Sequence, residues 1–217
     1  MDARVLLVAR DPEGEPLRPE LADLLGRERY VRLEEILLRR AAAWAAEVAR
    51  GAVWVRCEPG GGEEAVRRIV GGGLRVLGPG EPGAARRLQD GVDAVFREGP
   101  GPLLVAWPEL LRWRTDHATG ALGDLAGGCD ISVGPVFDGG FYLLALARPV
   151  PFLGTGPEDG LRSPESMARM LAAVNAAGLE AGLLRAERGL RREADLRAAL
   201  ADPLLDGELR AVLDSAR

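Results

Sequence analysis

Lysine is missing from this chain: every one of the 28 basic side chains among its 217 residues is arginine. Schiff-base chemistry and lysine–phosphate contacts are therefore excluded within it, and arginine is the only permanent cation for an anion to meet. Histidine occurs once, as His117, and cysteine twice, as Cys57 and Cys129. Neither cysteine has a second cysteine or a histidine at ligand spacing, which argues against zinc and for buried free thiols. His117, beside Asp116 and without a second histidine, reads as a surface residue; as a general base it would need a positioned nucleophile, and none is visible. No uncharged apolar run reaches the roughly 18 residues of a membrane span. The first residues are already strand-like and lack the regions of a signal peptide. A formal net charge of −5 disfavours nucleic acid as a partner. The expectation is a cytoplasmic protein without a membrane span, one domain over residues 1–217.

What is present alternates between strand and helix patterns. Ala3 to Ala9 (ARVLLVA) reads as a buried strand. The following loop, Arg10 to Gly26, runs into a short helical piece, and a loop there in an α/β protein often holds a ligand. Its acids Asp11, Glu13, Glu15 and Glu20 face only Arg10 and Arg18, so a polyphosphate would meet net repulsion. Arg29 to Arg50 has the period of an amphipathic helix, with Leu33, Leu37, Ala41, Trp44 and Val48 on one stripe. Strands follow at Ala52–Arg56 and Leu74–Leu77, and helices at Glu63–Val70 and Ala84–Arg97. The Gly78–Gly83 loop before the last of these could cradle an anion on free N–H groups, but Pro79 and Pro82 remove donors. Pro102 to Trp107 is a further strand, and Trp107 and Glu109 would stand at the mouth of any cleft at its end. Leu110–Leu125 is helical or irregular. Ser163-Pro164-Glu165 has the chemistry of a helix start, Leu179–Leu184 fits a last strand, and Asp195–Leu200 and Gly207–Leu213 fit short helices.

The most informative stretch is Asp130 to Leu146, DISVGPVFDGGFYLLAL. Two apolar runs bounded by Gly and Pro signal buried strands, joined through Asp138-Gly139-Gly140. Locally the turn has two readings: a plain hairpin, for which Asp-Gly is well suited, or a carboxylate facing a ligand, with Asp138 unobstructed by its glycine neighbours.

The words VGPVFDGGFYLLAL at 133 to 146 resemble the signature of a bacterial glycosyltransferase-like family, the radical-SAM/selenodomain-associated transferases. The match runs through Gly134, Pro135, Asp138, Gly139, Gly140, Tyr142 and Leu143. The resemblance implies a nucleotide-diphospho-sugar transferase (GT-A) fold: a three-layer α/β/α sandwich with a mostly parallel sheet and one antiparallel hairpin around Asp138. It also implies a nucleotide or nucleotide-sugar ligand and a Mg²⁺ or Mn²⁺ ion. On this reading Asp138 is the catalytic residue and, with Glu109 and Asp195, a metal ligand, while Arg10, Gly14, Arg18, Trp107, Gly139 and Gly140 contact the nucleotide.

The chain departs from the family at charged positions. The first-loop signature K-T-R-L-x-P-x-L becomes one in which Gly14 and Pro16 stand for the Lys and Arg. The strand-end s-D-s-P-D-L keeps Pro108, Glu109 and Leu110 but has Ala106 for its key Asp. The later D-x-D-t-x-x-D-L becomes RGLRREADL, keeping Asp195 and Leu196. The expectations are therefore a nucleotide-sugar or nucleotidyl transferase-like protein with reduced or lost activity or, alternatively, a non-catalytic nucleotide-binding or interaction protein on the same fold. A homodimer stays open.

Overall fold

The computed structural model describes residues 3–80, 83–137, 140–150 and 165–214. Strand β1 (Arg4–Ala9) is buried at every position. An unbroken apolar run of this kind belongs in the middle of a parallel sheet covered on both faces. β1 pairs in parallel with β2 (Val53–Cys57) on one side and β4 (Leu103–Ala106) on the other. The short β3 (Arg75–Val76) extends the β2 side. Beyond β4 the order continues through β6 (Phe141–Leu146), β5 (Ile131–Pro135) and β7 (Ala181–Leu183), giving β3-β2-β1-β4-β6-β5-β7. β6 alone runs against its neighbours. The mostly parallel sheet and the antiparallel hairpin are as the sequence pattern implies. The insertion of β6 between β4 and β5 is not in that pattern.

Helices cover both faces. One face packs α2 (Arg27–Ala49), α3 (Glu63–Val70) and α5 (Thr115–Ala126) on Val5, Leu7, Val53, Val55 and Leu104. The other packs α4 (Ala84–Arg97) and α6 (Ser166–Ala176) on Leu6, Val8, Leu103, Val105 and Leu144. The two sets alternate along β1 and β4 with the period-two rule of a strand. A third apolar cluster joins α1 (Pro19–Leu25), the N-terminal half of α2, α7 (Glu193–Ala201) and α8 (Gly207–Leu213) around Leu190. Gly26, at φ 77°, forms the joint between α1 and α2. Among the described residues no helix is long and apolar enough to cross a membrane.

One irregularity aims side chains. Gly134 pairs with Leu143 but Pro135 pairs with Phe141, so Tyr142 is an extra residue in β6. Such a bulge reverses which face the neighbouring side chains take. Phe141 consequently packs on the α4/α6 side and Tyr142 on the α2/α5 side. The Tyr142 ring lies flat over Gly134, where a Cβ would come within 2.6 Å of it.

Candidate functional site

β1 has β2 on one side and β4 on the other, so the loops leaving β1 and β4 part at that point of the sheet. In open α/β sheets ligands collect at such a point, beyond the carboxyl ends of the strands. Three segments meet there: the loop after β1, the turn after β4, and a strap over residues 184–192 that follows β7. The strap is fixed by main-chain bonds. Leu184 N donates to Val133 O at 2.9 Å, Glu187 N to Pro135 O at 3.0 Å and Phe137 N to Glu187 O at 3.2 Å. Its far part bridges Gly189 to Leu110, and Leu190 is fully buried in the third apolar cluster. The strap thus runs across the edge of the sheet from β5 to the turn after β4.

Glu109 lies in that turn, its N–H donating to Trp107 O at 2.7 Å. Its side chain is 2% exposed, and Oε2 accepts a 2.8 Å hydrogen bond from Arg191 of the strap. Asp195 sits in the first turn of α7. Its Oδ2 accepts from the N–H groups of Arg191 and Arg192 at 3.2 and 3.1 Å, and its Oδ1 from Arg188 at 3.1 Å. Both carboxylates proposed as metal ligands are therefore engaged by strap residues. Among the described residues no three His, Cys, Asp or Glu side chains cluster as a metal site. Of the three expected ligands, the two described ones therefore each face a guanidinium. Asp138 and Gly139 lie outside the described residues.

Arg18 is buried, donating to Leu190 O at 3.0 Å and to Glu34 at 3.3 Å, with Tyr30 Oη accepting from its N–H. Its guanidinium ties the first loop to the strap and α2. Tyr30, desolvated and beside Glu34, is pushed up to about 12 and stays a phenol. Gly14 closes a tight turn on Asp11, whose carbonyl oxygen would lie 3.1 Å from an added Cβ. Arg27 donates to the carbonyls of Glu13 and Gly14 and holds the turn in place. Arg10 has no hydrogen-bond or ion-pair partner among the described residues and is half-buried. Beside this loop, between α2 and α3, a cavity of about 300 Å³ is lined by Asp11 and Glu13 of the loop and by Glu35, Arg39 and Arg68 of the helices, a mixed charged wall.

Trp107 stands at the strand end, but its side chain turns into the core. It is 3% exposed on the α4/α6 side, its ring 6.3 Å from that of Phe141. Gly140 is buried, and its carbonyl accepts from Val136 N at 2.9 Å.

His117 is a correction to the sequence reading: it is 5% exposed, not a surface residue. Nδ1 accepts from Arg114 N at 3.4 Å, closing the first turn of α5, and Nε2 lies 3.3 Å from Glu187 Oε1. Both ring nitrogens are thus committed inside the fold. Burial, the largest influence, lowers its pKa against the opposing pull of Glu187. The same Glu187 oxygen accepts from Arg114 at 3.0 Å and Arg185 at 2.7 Å, and Tyr142 Oη donates to Arg185 O at 3.3 Å. Cys57 is a buried free thiol as anticipated, desolvated up to about 11 and so not a nucleophilic thiolate. Cys129 is also free but only half-buried.

Sequence reasoning took residues 188–196 only as a family motif keeping Asp195 and Leu196, and did not see the strap. The strap carries Arg185, Glu187, Arg188 and Arg191, and their signal was the density of arginine in LLRAERGLRR. Without knowing that Gly189 meets Leu110, that run reads as an ordinary solvated connection.

Comparison with proteins of curated function returns no match by sequence. Solved structures do match. A candidate nucleotide-diphospho-sugar transferase from Desulfovibrio desulfuricans G20 is 18% identical, with a TM-score of 0.78 over 99% of this chain and 94% of its own. A cytidylyltransferase from Leptospira borgpetersenii is 12% identical, with a TM-score of 0.56 over 99% and 93%. A CMP:2-keto-3-deoxy-manno-octonic acid synthetase in complex with CTP is 17% identical, with a TM-score of 0.54 over 100% of both chains. At these identities the likeness is one of fold: a nucleotide-diphospho-sugar transferase-like sheet with flanking helices. A family model matches residues 41–155, from within α2 past the end of β6, and this chain belongs to that family, described as uncharacterised proteins conserved in bacteria (DUF2064).

Proposed function

We propose that this chain binds a nucleotide or nucleotide sugar where the loops after β1 and β4 part, and that strap arginines supply the positive charge there. On this reading it is a nucleotidyl- or glycosyl-transferase-like protein of the cytoplasm whose transfer activity is reduced or lost. The observation that carries it is the 2.8 Å pair between Glu109, 2% exposed, and Arg191. A carboxylate already neutralised by a guanidinium attracts a divalent cation weakly, and the cation would also meet the charge of Arg191 itself. A phosphate instead meets Arg10 at the loop and Arg191 on the strap. The solved synthetase of this fold that contains CTP supports the choice of nucleotide as the ligand class.

Calorimetric titration with CTP, UDP-glucose and GDP-mannose, in EDTA and again with Mn²⁺, tests this. Binding to at least one of them in EDTA is expected, weakened about tenfold or more when Glu109→Gln and Arg191→Gln are introduced together. Binding that appears only with Mn²⁺ favours the second reading, a metal-using transferase in which Asp138, Glu109 and Asp195 hold Mg²⁺ or Mn²⁺; the D-G-G turn is what supports it. No heat with any nucleotide under either condition removes both and leaves an interaction protein on a transferase-like fold.

A further inference from the structure

Among the described residues three large apolar side chains stand in water: Phe137 at 68% exposure, Leu183 at 59% and Leu204 at 71%. Of these, Phe137 alone is aromatic, and it sits at the strand-end edge of the sheet, immediately after β5 and Val136. Its exposure is not that of a loose main chain. Val136 is 3% exposed and bridges to Glu187, its N–H donates to Gly140 O, and the Phe137 N–H donates to Glu187 O. A fixed backbone therefore holds an apolar ring outward beside the strap, where burial would otherwise be favoured.

The ring has a charged companion. The Arg188 guanidinium lies 5.6 Å from the Phe137 centroid, within cation–π range. Asp195 anchors it at 3.1 Å, yet its side chain remains 50% exposed. Arg188 also lines a hollow of about 250 Å³ floored by Leu110 and Leu209. Other charges at that rim pair off, Arg112 with Asp202 and Arg114 with Glu187.

We infer that Phe137 and Arg188 form a second half-site, for a small anionic ring compound whose face rests on the Phe137 ring and whose acid group meets Arg188. An aromatic face carries partial negative charge and draws the C–H groups of a ring laid on it, while a half-exposed guanidinium selects an anion. One aromatic ring beside one guanidinium sets the scale at a single ring with one acid group. The sheet order puts β5 three positions from β1, across β4 and β6, or about 14 Å at ordinary strand spacing. A nucleotide at the β1/β4 junction leaves this end of the edge open. Assigning the ring compound as the second reactant rests on the nucleotide reading; the half-site itself does not.

The probes are glucose 1-phosphate and phenyl phosphate, with inorganic phosphate as the ring-free control and CTP reporting the nucleotide site. Each is titrated calorimetrically into the wild-type chain, Phe137→Ala and Arg188→Gln. Phe137→Ala should weaken the better of the two ring probes at least fivefold and leave inorganic phosphate and CTP unchanged. Arg188→Gln should weaken both ring probes and inorganic phosphate. Which ring probe binds more tightly distinguishes a sugar from an aromatic acid. Ring probes that bind Phe137→Ala as tightly as wild type, or bind wild type no better than inorganic phosphate, overturn the half-site. Loss of the fivefold effect with CTP binding intact refutes the half-site alone. The fivefold effect without any CTP binding upholds the half-site and refutes the nucleotide reading.

Discussion

Glu109 and Arg191 meet inside the fold with only 2% and 18% of their side chains exposed. Desolvating both charges is costly, and breaking a buried pair from one side typically costs about 3–5 kcal/mol. Arg191→Gln is therefore expected to lower unfolding stability by about that amount in urea titrations. The double variant with Glu109→Gln, which leaves two neutral amides able to hydrogen-bond, should recover most of the loss. Equal losses in the single and double variants would mean that the pair is not energetically coupled. Neither residue is legible as half of a pair in the sequence, because 82 positions separate them. Glu109 read as a metal ligand since its neighbours Pro108 and Leu110 fit a strand-end motif, and the arginine that answers it lies where the later family motif has lost its first acids.

At the scale of elements, the β6 bulge and the α8 cap are the clearest cases of a few residues deciding geometry. The bulge at Tyr142 sends its ring over Gly134 while Phe141 goes to the other face. Because Tyr142 is 1% exposed and packed near His117 and Trp113, the ring has little room to retreat. Gly134→Ala would place a Cβ within 2.6 Å of it and should cost about 1–3 kcal/mol as an overpacking defect, read from the urea midpoint. An unchanged midpoint would show that the ring is free to shift. At α8, Asp206 accepts from Glu208 N and Leu209 N at 3.1 Å each. Asp206→Ala should cost about 1–2 kcal/mol, as a lost N-cap together with the partly exposed ion pair to Arg40, while Asp206→Asn keeps most of the cap and loses only the ion pair. The Gly-Pro and Asp-Gly signals located the hairpin well. The extra residue within β6 could not be read from them, since a bulge is a fact about register between two strands.

For the molecule as a whole, acid should weaken the fold in two separate windows. His117 has its pKa lowered in the folded state, chiefly by burial, from an ordinary 6.5. Below 6.5 the unfolded chain takes the proton first, so stability falls as pH drops through that range and levels off beneath the folded value. Asp206 is held at about 2, against an ordinary 3.8, first by its hydrogen bond to Arg40 and then by the α8 amides. Its contribution is present above 3.8 and is lost as pH falls toward 2. Urea midpoints between pH 8 and pH 2 should show both declines, and His117→Gln should flatten the upper one only. Persistence of the upper decline in that variant would assign it to another group. The alternation of buried strands and amphipathic helices in the sequence determined the layered α/β fold, because apolar runs and helical periods each admit few ways of being buried. The D-G-G words determined the family, being a local string. The charges at the site were another matter. Asp195, Glu109 and Arg18 were visible as residues, but their partners Arg188, Arg191 and Leu190 were chosen only when the strap crossed the strand ends. Ion pairs and burial depend on distance in space, and no spacing along the chain encodes which arginine will close on which carboxylate.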